Sequence, residues 1–227
     1  MRRIPMSETT GQQKTRIVLV EDHPLFRERL ALLINNEPDM EVCGESDNIK
    51  QAIEVIQSTR PDMCIVDITL KGSSGLELLK DLKAQSIALP ALVLSMHHES
   101  LYAERAIRAG AMGYITKNEA SSKVMQAIRK VMSGDIYLSD GMTARVLKHL
   151  QDGGEKLERP VLNRLTDREL EVFQLIGQGK TTREIAETLN LGLKSIDTYR
   201  ARIKEKLNLK NATELVREAT MWAKPHE

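Results

Sequence analysis

The chain has 227 residues, a length that fits one large domain or two modest ones. Its 33 Lys plus Arg nearly cancel its 32 Asp plus Glu, leaving a formal net charge of +1. That balance argues against a basic nucleic-acid-coating protein and an acidic tail protein, though charge segregated along the chain leaves DNA binding open. Hydrophobic residues at 41% exclude a disordered chain, and aromatics at 3% argue against a pocket of stacked rings.

Residues 1–14 carry two arginines and no apolar stretch, so they read as a disordered lead-in rather than a signal peptide. No later run approaches the ~18–20 apolar residues that cross a bilayer. Cys43 and Cys64 each sit inside an apolar run and read as small core residues of a reduced, cytoplasmic protein.

From residue 16 to 132 two kinds of segment alternate. Short β-branched runs lie at 16–20, 40–44, 63–67, 91–95 and 113–116. Helix-length stretches between and after them carry apolar residues at helical spacing. These stripes are Leu25, Leu30, Leu33 and Ile34, then Ile49, Ala52, Ile53 and Ile56, then Leu76, Leu79 and Leu82. Ala103, Ala106 and Ile107 follow, and last Val124, Ala127, Ile128 and Val131. Five strand–helix units predict a doubly wound parallel sheet covered on both faces, which explains strands that are continuously apolar. Residues 134–160 carry one helical piece near 142–150 and turn formers at Gly153, Gly154 and Pro160, and read as a linker. Residues 161–227 are helical only, over 167–177, 181–189, 194–207 and 211–223, giving an all-α second domain after the α/β domain at 15–133.

Ligands of open parallel sheets bind beyond the carboxyl ends of the strands. Glu21 and Asp22 follow the first strand, Asp67 ends the third, Ser95 the fourth, and Lys117 follows the fifth. Crowded carboxylates repel unless a cation shares them, and hard oxygen ligands favour Mg²⁺. A carboxylate beside such an ion can attack a phosphoryl group while an ammonium and a hydroxyl hold its other oxygens.

These residues lie in VLVEDH (18–23), IVDITL (65–70), VLSMHHE (93–99) and GYITK (113–117), and residues 16–132 resemble a CheY-like receiver domain with a flavodoxin-like fold. The resemblance implies that Asp67 is the phosphorylated residue. It implies Mg²⁺ held by Asp22, Asp67 and the carbonyl of Thr69, with Glu21 supporting through water. Ser95 and Lys117 would bind the phosphoryl group, Tyr114 would be the switch aromatic, and Gly75 matches the glycine eight residues after the acceptor. One departure is Leu70-Lys71 where Met-Pro is usual, which loosens the turn and brings a cation near the site. His97 and His98, being adjacent, point apart and read as loop or helix-start residues rather than metal ligands.

In the second domain Thr166 and Glu169 form a capping-box pattern. A short helix, a glycine-containing turn and a longer basic helix follow, the order of a helix-turn-helix. Residues 194–210 hold six basic residues against Asp197 and Glu205, a surplus that attracts phosphate. Residues 162–224 resemble the LuxR-type DNA-binding domain of NarL/FixJ response regulators, on LTDRELEV (165–172), GKTTREIAETL (179–189) and KSIDTYRARIKEKL (194–207). The resemblance implies backbone contacts from Lys180 and Thr182. It also implies groove or phosphate contacts from Lys194, Ser195, Asp197, Thr198, Tyr199, Arg200, Arg202 and Lys206. Asp197 either accepts from cytosine N4 or tunes helix charge. The last helix supplies a dimer contact, packs Leu215, Val216 and Trp222 against the bundle, or does both.

Together the two resemblances imply a cytoplasmic two-component regulator with no membrane segment and no turnover activity. A sensor histidine kinase would phosphorylate Asp67, and the homodimer would bind double-stranded DNA. In relatives the unphosphorylated receiver masks the recognition helix. A phosphorylation-independent regulator, controlled by a ligand or protein partner, is the alternative. An aspartyl phosphohydrolase is disfavoured, because it needs a second acid where Thr69 stands.

Overall fold

The structure is a computed structural model that describes residues 14–97, 99–119, 121–144 and 162–223. The lead-in up to residue 13, His98 and most of the linker segment lie outside the described residues.

Five parallel strands carry the first domain: β1 (Thr15–Val20), β2 (Met40–Ser46), β3 (Met63–Val66), β6 (Ala91–Ser95) and β7 (Gly113–Thr116). A small antiparallel pair, β4 (Thr69–Leu70) and β5 (Ser73–Ser74), sits directly after β3. The sheet order is β2-β1-β3-β6-β7, the flavodoxin-like winding. Alternation within each strand serves two cores. Ile17, Leu19, Met63 and Ile65 join one apolar cluster with Leu30, Ile34, Ala127 and Ile128. Val18, Val20, Cys64 and Val66 join the other with Ile56, Leu79 and Ala106. Burial pushes the Cys64 thiol up to about 12, as suits an inert core residue.

The covering helices are α1 (Pro24–Asn35), α2 (Ile49–Thr59), α3 (Gly75–Ala84), α4 (Glu99–Ala109) and α5 (Ser121–Met132). Their starts are locally encoded. Pro24 opens α1, the Asn48 side chain accepts from the Gln51 N–H, and the Ser74 hydroxyl accepts from the Leu76 N–H. Leu25 departs from its stripe: it is 78% exposed in the first turn of α1, ahead of the face that packs on the sheet.

The segment after α5 begins as part of the sheet edge rather than as a linker. Tyr137 bridges Gly113, the Tyr114 N–H donates to its carbonyl, and Ser139 N–H donates to Glu99 Oε1. Residues 140–144 are helical, and Met142 is buried.

The second domain has a 3₁₀ turn at Leu162–Arg164 and four helices: α6 (Asp167–Gly177), α7 (Thr182–Thr188), α8 (Leu193–Leu207) and α9 (Ala212–Ala223). Thr166 with Glu169, and Thr181 with Glu184, complete capping boxes at α6 and α7. Gly177 sits where a Cβ would lie 2.3 Å from the Ala219 carbonyl oxygen, so α9 can cross α6 closely. Leu215 and Ala219 are buried in that crossing, whereas Val216 is 43% exposed. Among the described residues no helix is long and apolar enough to cross a membrane.

Candidate functional site

The winding reverses between β1 and β3, and the acidic residues stand at the carboxyl ends of those two strands. Val20 and Val66 are register partners, which brings Glu21 and Asp22 beside Asp67. All three carboxylates are buried. Lys117, delivered by the end of β7, bridges them: its Nζ lies 2.5 Å from Glu21 Oε2 and 2.7 Å from Asp67 Oδ2. Its ammonium also lies 4.5 Å from the centre of the Phe26 ring. Asp67 Oδ1 and Asp22 Oδ1 are buried with no hydrogen-bond partner. Asp22 Oδ1 does approach the exposed His23 Nδ1, at 2.8 Å but without hydrogen-bond geometry.

Burial raises the Asp67 carboxyl well above the usual range; the Lys117 ammonium opposes this and Glu21 adds to it. Burial likewise raises Asp22, with His23 opposing. Three carboxylates against one ammonium leave two negative charges for a divalent ion. Ligand atoms of Glu21, Asp22, His23 and Asp67 all lie within 4.8 Å of one another. Two orphaned carboxylate oxygens in a hard-oxygen donor set fit Mg²⁺.

Gly75 shapes this floor. A Cβ there would lie 1.9 Å from the Asp67 carbonyl oxygen, and its N–H donates to Ile68 O at 2.7 Å. The opposite wall is a hydrogen-bonded set. Ser95 is fully buried and its Oγ accepts from the His97 N–H at 3.2 Å. Tyr114 is turned inward, 1% exposed, and its hydroxyl donates to the His97 carbonyl at 2.8 Å. Burial pushes that phenol up above its usual value. His97 Nε2 meets Thr69 Oγ1 at 3.0 Å, and its ring stacks on Tyr102 at 4.6 Å. Sequence reasoning gave His97 no such role and missed Tyr102 altogether. Lys71 turns from the acids to Asp47, at 3.0 Å.

On the second domain α8 buries Ile196 and Ile203 and turns Lys194, Asp197, Thr198 and Arg202 outward. Ser195 and Arg200 are half-buried at its flanks, and Thr182 and Lys180 are half-buried near the start of α7. Thus a basic helix carries an exposed polar row beside a short capped helix, the layout of a groove-reading unit.

A model of the response regulator receiver domain matches residues 17–129, and a model of bacterial regulatory proteins of the luxR family matches residues 163–219. The nitrate/nitrite response regulator protein NarL of Escherichia coli (strain K12) is 30% identical over 213 residues, covering 94% of this chain and 96% of NarL. The chain belongs to the NarL-type response regulators. The transcriptional regulatory protein DesR of Bacillus subtilis (strain 168) is 35% identical over 201 residues, 88% of this chain and 94% of DesR. RcsB of Salmonella enterica serovar Typhimurium, solved bound to promoter rprA with the phosphomimetic BeF₃⁻, shares the fold at a TM-score of 0.59. That likeness is at 21% identity and spans 92% of this chain and 99% of RcsB.

As a response regulator the chain is a transcription regulator, not a turnover enzyme. Three features of the second domain bear on the expectations for α8. Lys206 Nζ donates to Glu169 Oε2 at 2.6 Å and so braces the capping box of α6. Tyr199 is half-buried and packs against the core cluster. The recognition helix α8 is not masked by the receiver: Leu193 is 53% exposed and Lys194, Asp197, Thr198 and Arg202 are open to solvent. The receiver touches a different helix.

Proposed function

We propose that Asp67 accepts a phosphoryl group from a sensor histidine kinase and that this acceptance controls DNA binding by α8. The observation that carries the reading is one buried carboxylate with its Oδ2 held by Lys117 and its Oδ1 unpartnered, at the sheet's switch point. A carboxylate oxygen attacks phosphorus, the bond from phosphorus to the donor's imidazole nitrogen breaks, and an acyl phosphate forms. Asp22, Asp67 and the Thr69 carbonyl, with Glu21 through water, would hold Mg²⁺, which when bound neutralises phosphoryl charge. Lys117 neutralises a further phosphoryl oxygen, and the Ser95 hydroxyl hydrogen-bonds another. Drawing Ser95 toward the phosphoryl group changes its bond to the His97 N–H. Tyr114, fixed to the same residue's carbonyl, reports that movement.

Lys194, Arg202 and Arg200 supply phosphate contacts, Asp197 and Thr198 present groups to base edges, and Lys180 with Thr182 contacts the backbone beside the groove. The domains run over 15–133, with the edge segment through Tyr137 added to the first, and 161–227, and the phosphorylated form is a homodimer in the cytoplasm. The test is incubation of the full chain with acetyl phosphate and Mg²⁺ followed by intact mass measurement. The wild type gains one phosphoryl group and Asp67→Ala gains none. Equal gain by both variants would remove Asp67 from the role.

A further inference from the structure

His23 stands at the N-cap of α1, yet its side chain makes no capping bond. Helices favour Ser, Thr, Asp or Asn there, because those side chains accept from the first free N–H groups. The imidazole turns instead to the acids. Its Nδ1 lies 3.0 Å from Glu21 Oε1 and 2.8 Å from Asp22 Oδ1. The His23 N–H donates to the same Glu21 Oε1 at 3.0 Å, which fixes the residue beside the acidic group.

The carboxylate oxygens fall into two sets. Lys117 holds Glu21 Oε2 and Asp67 Oδ2. Glu21 Oε1, Asp22 Oδ1 and Asp67 Oδ1 form the second set, and His23 Nδ1 lies against the first two of them. Asp22 Oδ1 and Asp67 Oδ1 are buried without a hydrogen-bond partner. One proton on Nδ1 serves Glu21 and leaves Asp22 unserved, whereas a cation serves every member of the set at once.

The spacing fits such an ion. Ligands about 2.1 Å from an octahedral ion stand about 3.0 Å apart along an edge and about 4.2 Å apart across it. The two Nδ1–oxygen separations match the edge, and one ligand atom from each of Glu21, Asp22, His23 and Asp67 falls within 4.8 Å of the others. His97, the other described histidine, turns its Nε2 to Thr69 Oγ1 at 3.0 Å and is not in this group.

A nitrogen in the set changes the choice of ion. Mg²⁺ is hard and keeps water in preference to imidazole, whereas imidazole suits the first-row transition ions, with affinity rising from Mn²⁺ toward Cu²⁺. We propose that His23 Nδ1 is a direct ligand for a first-row divalent transition ion held with the carboxylates of Asp22 and Asp67. The imidazole is then neutral, with its proton on Nε2. The proposal rests on the acids holding a divalent ion, as above, and adds the arm that sets which ion is preferred. The His23 side chain is 66% exposed against 5% for Asp22 and 4% for Asp67, so it is the part of the set that an arriving ion meets first.

The test is calorimetric titration of the untagged full chain with Mg²⁺ and, separately, Co²⁺, together with pulsed electron paramagnetic resonance of the Mn²⁺-loaded chain. Loss of even an outer partner of a ligand costs metal sites about tenfold or more, so loss of a ligand costs at least that. His23→Ala is therefore expected to weaken Co²⁺ binding at least about tenfold and to change Mg²⁺ binding by less than about twofold. Asp22→Asn weakens both ions, which places them at the acids. Wild-type Mn²⁺ shows modulation from an imidazole nitrogen, and His23→Ala lacks it; the wild-type spectrum stands whether or not any variant folds. Mn²⁺ bound without nitrogen modulation, or Co²⁺ affinity unchanged in His23→Ala or in Asp22→Asn, overturns the proposal while Mg²⁺ binding leaves the wider reading of the acids standing. If the wild type binds none of the three ions, that reading and the proposal fall together.

Discussion

Arg168, in the first helix of the DNA-binding domain, donates to the carbonyl of Leu70, three residues beyond the phospho-acceptor candidate Asp67. The reader is thereby tied to the chain segment that directly follows Asp67. Around that tie the receiver performs two tasks. It crowds three carboxylates and one ammonium at a sheet edge, and it extends the same edge to α6.

Gly75 is the first place to test the geometry. A Cβ at that position would overlap backbone atoms of Asp67, and backbone cannot swing aside as a side chain can. Gly75→Ala is expected to cost about 3 kcal/mol of stability in urea unfolding. It should also slow phosphoryl uptake from acetyl phosphate at temperatures where the protein stays folded, because Asp67 itself must shift.

Lys117 is the only cation that bridges Glu21 and Asp67 among the described residues. Lys117→Met leaves two buried carboxylates facing each other, at a cost of about 3 kcal/mol in urea without divalent ions. Added Mg²⁺ is expected to restore part of that loss, and to restore less in Asp22→Asn/Lys117→Met. Equal stability of Lys117→Met and the wild type without Mg²⁺ would contradict the electrostatic account of the site.

The Glu169–Lys206 pair gives a pH signature. Burial pushes the Glu169 carboxyl up, but the Lys206 ammonium and the Thr166 N–H and hydroxyl outweigh it and hold it below its usual 4.5. A depressed acid stabilises the fold above its unfolded-state value and loses that contribution as pH falls through the folded one. Glu169→Gln should therefore be less stable than the wild type by about 1 kcal/mol at neutral pH. Thermal melts should show the gap closing below pH ~4.5.

Lys206 and Lys194 separate by role although both are lysines of α8. Lys194 is exposed at the start of the helix, whereas Lys206 is spent on Glu169. On a duplex selected from a random pool, Lys194→Ala should lower the slope of log affinity against log salt by about 1. Lys206→Ala should leave that slope unchanged and lower the melting temperature instead.

The sheet and its helices were legible because period-2 and period-3.6 apolar patterns report packing directly, and strand ends place Glu21, Asp22, Asp67, Ser95 and Lys117 together. The capping box of Thr166 was equally local. What escaped was set by the second surface of each element. Asp167 and Arg168 are buried with receiver partners, Lys80, Arg105 and the Leu70 carbonyl, that helical spacing does not report. Tyr102 and His97 matter through a stacking contact that spacing cannot reveal. Lys206 belongs to a basic run, yet its side chain reaches a cap 37 residues earlier in the chain. Tyr137 is paired with the sheet edge by backbone hydrogen bonds, which a side-chain pattern does not report.

Coupling between Asp67 and DNA is tested most directly by fluorescence anisotropy on the same selected duplex, with and without acetyl phosphate and Mg²⁺. The expected result is an affinity gain of about fivefold to a hundredfold for the wild type and none for Asp67→Ala. An equal gain in Asp67→Ala, or no gain in a wild type shown by mass to be phosphorylated, would contradict control of the reader through Asp67.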